Sequence, residues 1–262
     1  MNKCLAVGAA FVIALSLAGV AKATSLTIQD QTPTGNDPRV RDANLRSDGW
    51  ADGNLGPSWG SGMRQHPDVG WPDGKGPRHT IIGFDVSSLN PAWTINSATF
   101  GVYFQRSGGP AITNFKLSRL QAGKDWIEGT SGASPALTGE VTWNSQKHGQ
   151  VLWEVVGATG ASDVDMATTI SWNKQASVSE WVTFDVKSWV QAWVNTSYQN
   201  NGMLIWGGQG PGGTAYWMPI MSEDTAVPAR RPYLTIDYTI PEPMSALLLA
   251  AGSALRRRRR RA

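Results

Sequence analysis

Apolar and polar residues alternate with a period of two through much of this chain. The alternating runs are short and rich in Val, Ile, Thr, Phe and Trp, and Gly, Pro, Asn and Asp interrupt them. Such runs predict half-buried β-strands, because successive side chains of an extended chain point to opposite faces. Segments 80–85, 98–104 and 233–238 carry the pattern; in the last, Leu234 and Ile236 face one way and Tyr233, Thr235 and Asp237 the other. Many such strands at close spacing predict an all-β fold, an antiparallel β-sandwich of jelly-roll type. One short helix is predicted at 185–194, where apolar positions 186, 189, 190, 193 and 194 share a face and Asp185 is placed to cap the start. Segment 46–79, and the pair 127–140 and 157–171 around Val141-Thr142-Trp143-Asn144, lack periodicity; loops of that length carry function or disorder.

The two ends follow other rules. Lys3, the apolar stretch 5–20 and Ala21-Lys22-Ala23 read as a secretory signal peptide over residues 1–23. Its removal takes away Cys4, the single cysteine, so the exported chain holds no disulfide. At the other end, Pro241-Glu242-Pro243, an apolar run at 244–255 and six arginines at 256–261 resemble a PEP-CTERM sorting tail over 241–262. That resemblance implies processing by a membrane-embedded exosortase. The apolar run is shorter than the roughly 20 residues that span a bilayer as a helix, so membrane contact is expected to be transient. The expected destination is secretion, the cell surface or the extracellular matrix, with a single domain at 24–240.

Charge changes meaning once the ends are set aside. The chain has 23 Lys+Arg and 20 Asp+Glu. Without Lys3, Lys22, the six tail arginines and Glu242, residues 24–240 hold 15 bases and 19 acids, a net charge of −4. The basic character belongs to the terminal signals, and no clustered basic face remains for nucleic acid.

Within the domain, Asp42-Ala43-Asn44-Leu45-Arg46, Asn54-Leu55-Gly56 and Ile82-Gly83-Phe84-Asp85-Val86-Ser87-Ser88-Leu89 follow one another. Ile95-Asn96-Ser97-Ala98-Thr99-Phe100, Trp126-Ile127-Glu128-Gly129, Val141-Thr142-Trp143-Asn144, Phe184-Asp185-Val186, Val190-Gln191-Ala192-Trp193, Asn201-Gly202-Met203-Leu204-Ile205 and Arg231-Pro232-Tyr233-Leu234-Thr235-Ile236 come next. Together these stretches resemble a DNRLRE-type domain, also classed as carbohydrate-binding module family 96. The resemblance implies a secreted β-sandwich that binds acidic algal or matrix polysaccharide without catalysis. The segment 57–78 is longer and richer in Trp and Gly than that pattern.

Sugar binding needs aromatic faces for the apolar side of a pyranose and charged or amide groups for its hydroxyls. Of 13 tryptophans, Trp126, Trp143, Trp189 and Trp193 are expected in the core, and Trp50, Trp59 and Trp71 on a binding loop, with Trp217 near a similar surface. Arg46, Arg64, Arg78 and His79 are candidates to pair with glycan carboxylates, since guanidinium meets carboxylate through two bonds. No cofactor is required, but Asp163 and Asp165 would share one strand face and suit a structural calcium ion; Asp37, Asp42, Asp48 and Asp52 form a second acidic group. Glu128, Glu140, Asp163 and Asp165 are the carboxyls from which a glycosidase pair would be drawn. The expected function is thus exported, non-catalytic binding of matrix or cell-surface polysaccharide. A structural matrix protein without glycan recognition, and a polysaccharide-degrading enzyme, are the alternatives.

Overall fold

The alternating segments fold as antiparallel strands. A computed structural model describes residues 22–32, 37–57, 62–65, 76–105, 111–174, 178–209 and 216–241, of which 62–65, 133, 209, 216 and 217 are described by backbone alone. In chain order the strands are β1 (Lys22–Gln29), β2 (Val40–Arg46), β3 (Gly53–Leu55), β4 (Gly62–Gln65), β5 (Arg78–Phe84), β6 (Thr94–Phe104), β7 (Ile112–Arg119) and β8 (Gly132–Pro135). They continue as β9 (Ser145–Lys147), β10 (Val151–Leu152), β11 (Ile170–Lys174), β12 (Glu180–Asp185), β13 (Met203–Gln209), β14 (Tyr216–Pro219) and β15 (Tyr233–Ile240), with helix α1 (Lys187–Val194) after β12. Strands make up 47% and helix 8%, which fixes the class as all-β.

Two sheets carry the fold. One has four strands in the order β1-β15-β6-β12; the other has seven, β11-β7-β13-β5-β4-β14, with β2 also paired to β5. Taking β1, β5, β6, β7, β11, β12, β13 and β15 as strands one to eight, the sheets read 1-8-3-6 and 5-4-7-2, the jelly-roll arrangement of two interlocked Greek keys. Strand β2 extends this plan by adding an edge beside β5. Lys22 lies opposite Ile240, so the first and last strands leave the sandwich side by side. Strand β14 pairs with β4 at the end of the seven-stranded sheet.

Between the sheets lies a core of Ile82, Phe84, Phe100, Phe104, Phe115, Leu117, Ile205, Leu234 and Ile236. Helix α1 closes it with Trp189, Val190, Trp193 and Val194, the face that the sequence pattern marks, and the Asp185 carboxylate accepts the Lys187 amide at its start. A second core covers the opposite face of the seven-stranded sheet: Ala43, Leu45, Ile81 and Leu204 from the sheet, and Trp126, Val141, Trp143, Trp153, Ala158 and Val164 from the segment between β7 and β11. Residues 127–140 and 157–171, expected as loops, do hold little regular structure, but the segment they belong to packs onto the sheet with a core of its own. Its indoles bury apolar area in quantity, and they satisfy their N–H groups on the way: Trp126 donates to the Asn201 carbonyl at 2.8 Å and Trp153 to the Thr142 carbonyl at 3.0 Å.

With no disulfide, a buried ion pair ties the chain after β1 to the chain before β15. Arg231, 1% exposed, donates to the Thr225, Asp30 and Thr32 carbonyls and lies 3.3 Å from the Asp30 carboxylate, which is itself fully buried. Breaking such a pair leaves an uncompensated buried charge. Replacing Arg231 by Met is expected to destabilise the fold by about 3–5 kcal/mol in urea titrations, and adding Asp30→Asn to that variant should recover part of the loss.

Candidate functional site

The cationic residues expected to meet a glycan are brought together, but mostly spent on one another's neighbours. Arg46 and Arg78 are register partners in β2 and β5, and Arg64 in β4 is the partner of Arg78 on its other side. Continuing the row, the backbone of Trp217 in β14 pairs with that of Arg64. Asp48, which follows β2, takes both described guanidinium groups, Arg46 at 2.5 Å and Arg78 at 3.2 Å. Burial alone would raise the Asp48 pKa, yet the hydrogen bond and charge of Arg46, with the charge of Arg78, hold it below the usual carboxylate range. Beside this network, Trp50 stands half-buried against a shallow cleft of about 280 Å³ that Asp48, Asp52 and Pro135 also line. Trp59, Trp71 and the sorting residues Glu242 and Pro243 lie outside the described residues; Pro241 follows directly on β15.

His79 cannot serve as a cation. Its ring is buried between strand and outer layer, 4.8 Å from the Trp143 ring, and Nδ1 meets the Gly157 carbonyl at 2.7 Å. Desolvation dominates and takes its pKa down to about 4, so it is neutral near pH 7. Its role as a carboxylate partner is corrected to that of a packed core residue. Asp163 and Asp165 are likewise engaged by protein groups. Asp163 is fully buried, accepts the amides of Glu154, Val155 and Gly160, and pairs with Lys124 at 2.9 Å. Asp165 pairs with Arg119 at 2.7 Å and accepts the Ala167 amide and the Thr168 hydroxyl. Both carboxylates are paired with cations in place, which makes each a tie within the outer layer.

A surface that the loop-centred reading passed over is the outer face of the four-stranded sheet. Tyr103 of β6, Trp181 of β12 and Tyr233 of β15 meet there on three adjacent strands. Trp181 lies 5.5 Å from Tyr103 and 5.0 Å from Tyr233 between ring centroids, and all three are half-buried. The Arg230 guanidinium sits 5.0 Å over the Tyr103 ring. Gly101, the register partner of Tyr233, makes room for its ring, since a Cβ there would lie 2.3 Å from it; the Trp181 ring is inclined at 75° to Tyr103 and 57° to Tyr233. The signal was present in the alternation: Tyr103 and Tyr233 stand outward beside inward Phe104 and Leu234, and Trp181 beside Val182.

The acidic residues sort differently from their order in sequence. Asp37 pairs with Arg39, Asp48 with arginines, and Asp52 accepts the Asn144 amide, whereas Asp42 is buried with Glu128 and Glu223. Asp42 Oδ2 accepts the Glu223 amide at 2.7 Å, the Glu128 and Glu223 carboxyls are hydrogen-bonded to each other, and Asp224 is close enough to raise all three. Glu128 is positioned by Asn54, whose side-chain amide donates to the Glu128 and Val141 carbonyls. Desolvation is the main reason that the carboxyls of Asp42 and Glu223 lie far above their ordinary values and that of Glu128 at about 7. Glu140, by contrast, accepts two backbone amides, from Thr130 and Leu137, and so holds a turn. Among the described residues no group of three or more His, Cys, Asp or Glu could hold a metal ion.

No protein-family model matches the sequence, and no curated protein matches it.

The buried neutral imidazole gives a signed prediction. The unfolded chain binds a proton at His79 below about pH 6.5 and the folded chain only near pH 4, so this group's stabilisation is present above pH 6.5 and is lost as pH falls toward 4. The stability difference between wild type and His79→Gln, from urea titrations, should shrink by about 3 kcal/mol between pH 7 and pH 4. A difference independent of pH would show that the imidazole is solvated.

Proposed function

We propose that this protein is an exported, non-catalytic β-sandwich that binds acidic polysaccharide of the matrix or cell surface, and that an exosortase-type system sorts it through its C-terminal tail. The observation that carries the reading is the aromatic patch of Tyr103, Trp181 and Tyr233 with Arg230 over it. Half-exposed rings offer apolar faces to a pyranose, and the guanidinium offers two parallel donors to a uronate carboxylate. The Trp50 cleft, bordered by Asp48 and Asp52, is a second place where a sugar ring and its hydroxyls find an indole and carboxylates together. The sequence resemblance to DNRLRE-type domains supports the same class of ligand. The close approach of the first and last strands at Lys22 and Ile240 suits a domain tethered or trimmed at one end with its recognition face turned away.

Affinity electrophoresis through gels holding a uronate polymer tests the reading. Wild type should be retarded, neutral glucan gels should retard it less, and Trp181→Ala or Tyr233→Ala should weaken the interaction by about tenfold or more, the effect of removing a central aromatic anchor. Thr183→Ala, on the same face, should migrate as wild type. Equal mobility in every gel would end the proposal, and concentration-dependent self-association in its place would support a structural matrix role.

A further inference from the structure

A cleft of about 580 Å³ lies where the start of β2, the turn after β5 and the C-terminal end of α1 meet. It shares no residue with the aromatic patch or with the Trp50 cleft. Phe84, Val86, Leu89 and Trp193, all buried, line its floor. Arg39 and Arg41 stand at its rim with side chains 49% and 32% exposed. Its volume falls within the range of small-molecule sites and leaves room for one or two sugar rings.

Three donors in this cleft lack an acceptor among the described residues. Trp193 is 5% exposed, and its indole Nε1 is buried without a hydrogen-bond partner, whereas the indoles of Trp126 and Trp153 each donate to a carbonyl. Arg39 uses Nε and Nη2 on the Asp37 carboxylate, and Arg41 uses Nη1 and Nη2 on Asp125 and the Trp126 carbonyl. That leaves Arg39 Nη1 and Arg41 Nε. The ion pairs hold both guanidinium groups in place. Gly83 lets Arg41 cross the cleft wall, since a Cβ there would lie 2.9 Å from Arg41 Nε. Asn200 is fixed as well, donating to the Phe84 carbonyl and accepting the Gly202 amide. A buried donor without an acceptor is destabilising, and a ligand oxygen would satisfy it. Groups fixed before binding lose little freedom on meeting a ligand.

The charges here do not favour an anion. Asp37 and Asp125 balance the two guanidinium groups. Asp85 adds a further carboxylate to the lining, with Oδ1 accepting the Ser87 amide and Oδ2 left as an acceptor. Fixed donors and an acceptor around an apolar floor match a pyranose, whose surface sets C–H patches beside hydroxyls. We propose that this cleft binds a neutral saccharide of one or two rings. Sugar oxygens accept from Trp193 Nε1, Arg39 Nη1 and Arg41 Nε, and a sugar hydroxyl donates to Asp85. The site is independent of the uronate-binding face, since it takes a different class of sugar on different residues. A domain carrying both surfaces would join an acidic polymer to a neutral glycan.

The test titrates the full exported chain, labelled with nitrogen-15, with glucose, galactose, mannose, their disaccharides and glucuronate in turn, and follows the indole N–H resonances. With at least one neutral sugar the Trp193 signal should shift in a saturable way, with a dissociation constant of about 1 mM, while the Trp181 signal stays in place. Glucuronate should act on Trp193 about tenfold more weakly or not at all. A disaccharide that binds more tightly than its monosaccharide identifies a chain end as the occupant, and equal affinity identifies a free sugar; both support the site. Trp193→Phe keeps a ring in the core and removes the donor. Arg39→Lys keeps a positive charge opposite Asp37 and removes Nη1. Each should weaken neutral-sugar binding about fivefold to tenfold, the effect of losing one hydrogen bond, read by calorimetry for the first and by the Trp193 signal for the second. No Trp193 shift with any neutral sugar, equal or tighter binding of glucuronate at Trp193, or undiminished affinity in both variants would each overturn the proposal. Because Trp181 reports the uronate-binding face separately, failure here is distinguishable from failure there.

Discussion

Strand β5 is buried on both faces, and the rest of the molecule is arranged around that fact. Six of its seven residues are buried. Ile82 and Phe84 enter the core between the sheets, while Ile81 enters the second core with Trp126, Trp143 and Trp153. At β5 the sheet is covered on both sides and leaves no face for solvent or ligand, whereas β7 and β11 keep exposed positions such as Asn114 and Ser171. Among the described residues the four-stranded sheet is covered on one side, by the core between the sheets, and its outward positions are where an aromatic surface forms. The division of labour between the sheets follows from how apolar the two faces of β5 are, since the hydrophobic effect scales with area removed from water.

The second core also explains how a chain without disulfides holds a segment of more than forty residues, 120–164, that has little regular structure. Backbone groups in such a segment need partners if they are to be buried. Side chains supply them here. Asn54 bonds two carbonyls and accepts two amides, Asp163 accepts three amides, and Glu140 accepts two. Their polar atoms replace a strand partner, so the layer packs its indoles onto the sheet without joining it.

Much of this was legible in the sequence. The alternation at 98–104 and 233–238 placed β6 and β15, and the apolar stripe at 186–194 placed α1 and its buried face, because local periodicity records which side of an element meets the core. The outer layer was not legible: Trp126 and Trp143 read as core, but nothing local distinguishes a loop that carries its own core from one that reaches for a ligand. His79 illustrates the same gap. Its charge state depends on Trp143 and Gly157, both distant in sequence, so the residue type pointed to a cation where burial leaves a neutral ring. The acidic residues failed for a related reason. Asp42 and Glu223 are 181 positions apart and meet only through the register of β2 and the turn after β14, whereas Asp163 and Asp165, adjacent in pattern, are separated by their partners.

The central claim is that the outer face of the four-stranded sheet recognises a glycan through Trp181 and its two tyrosines. Indole N–H resonances of the nitrogen-15-labelled protein, followed during titration with a uronate oligosaccharide, examine that surface residue by residue. The account predicts that the Trp181 indole signal shifts in a saturable way while that of fully buried Trp126 stays in place. An unmoved Trp181 signal under conditions where the polysaccharide binds would contradict it.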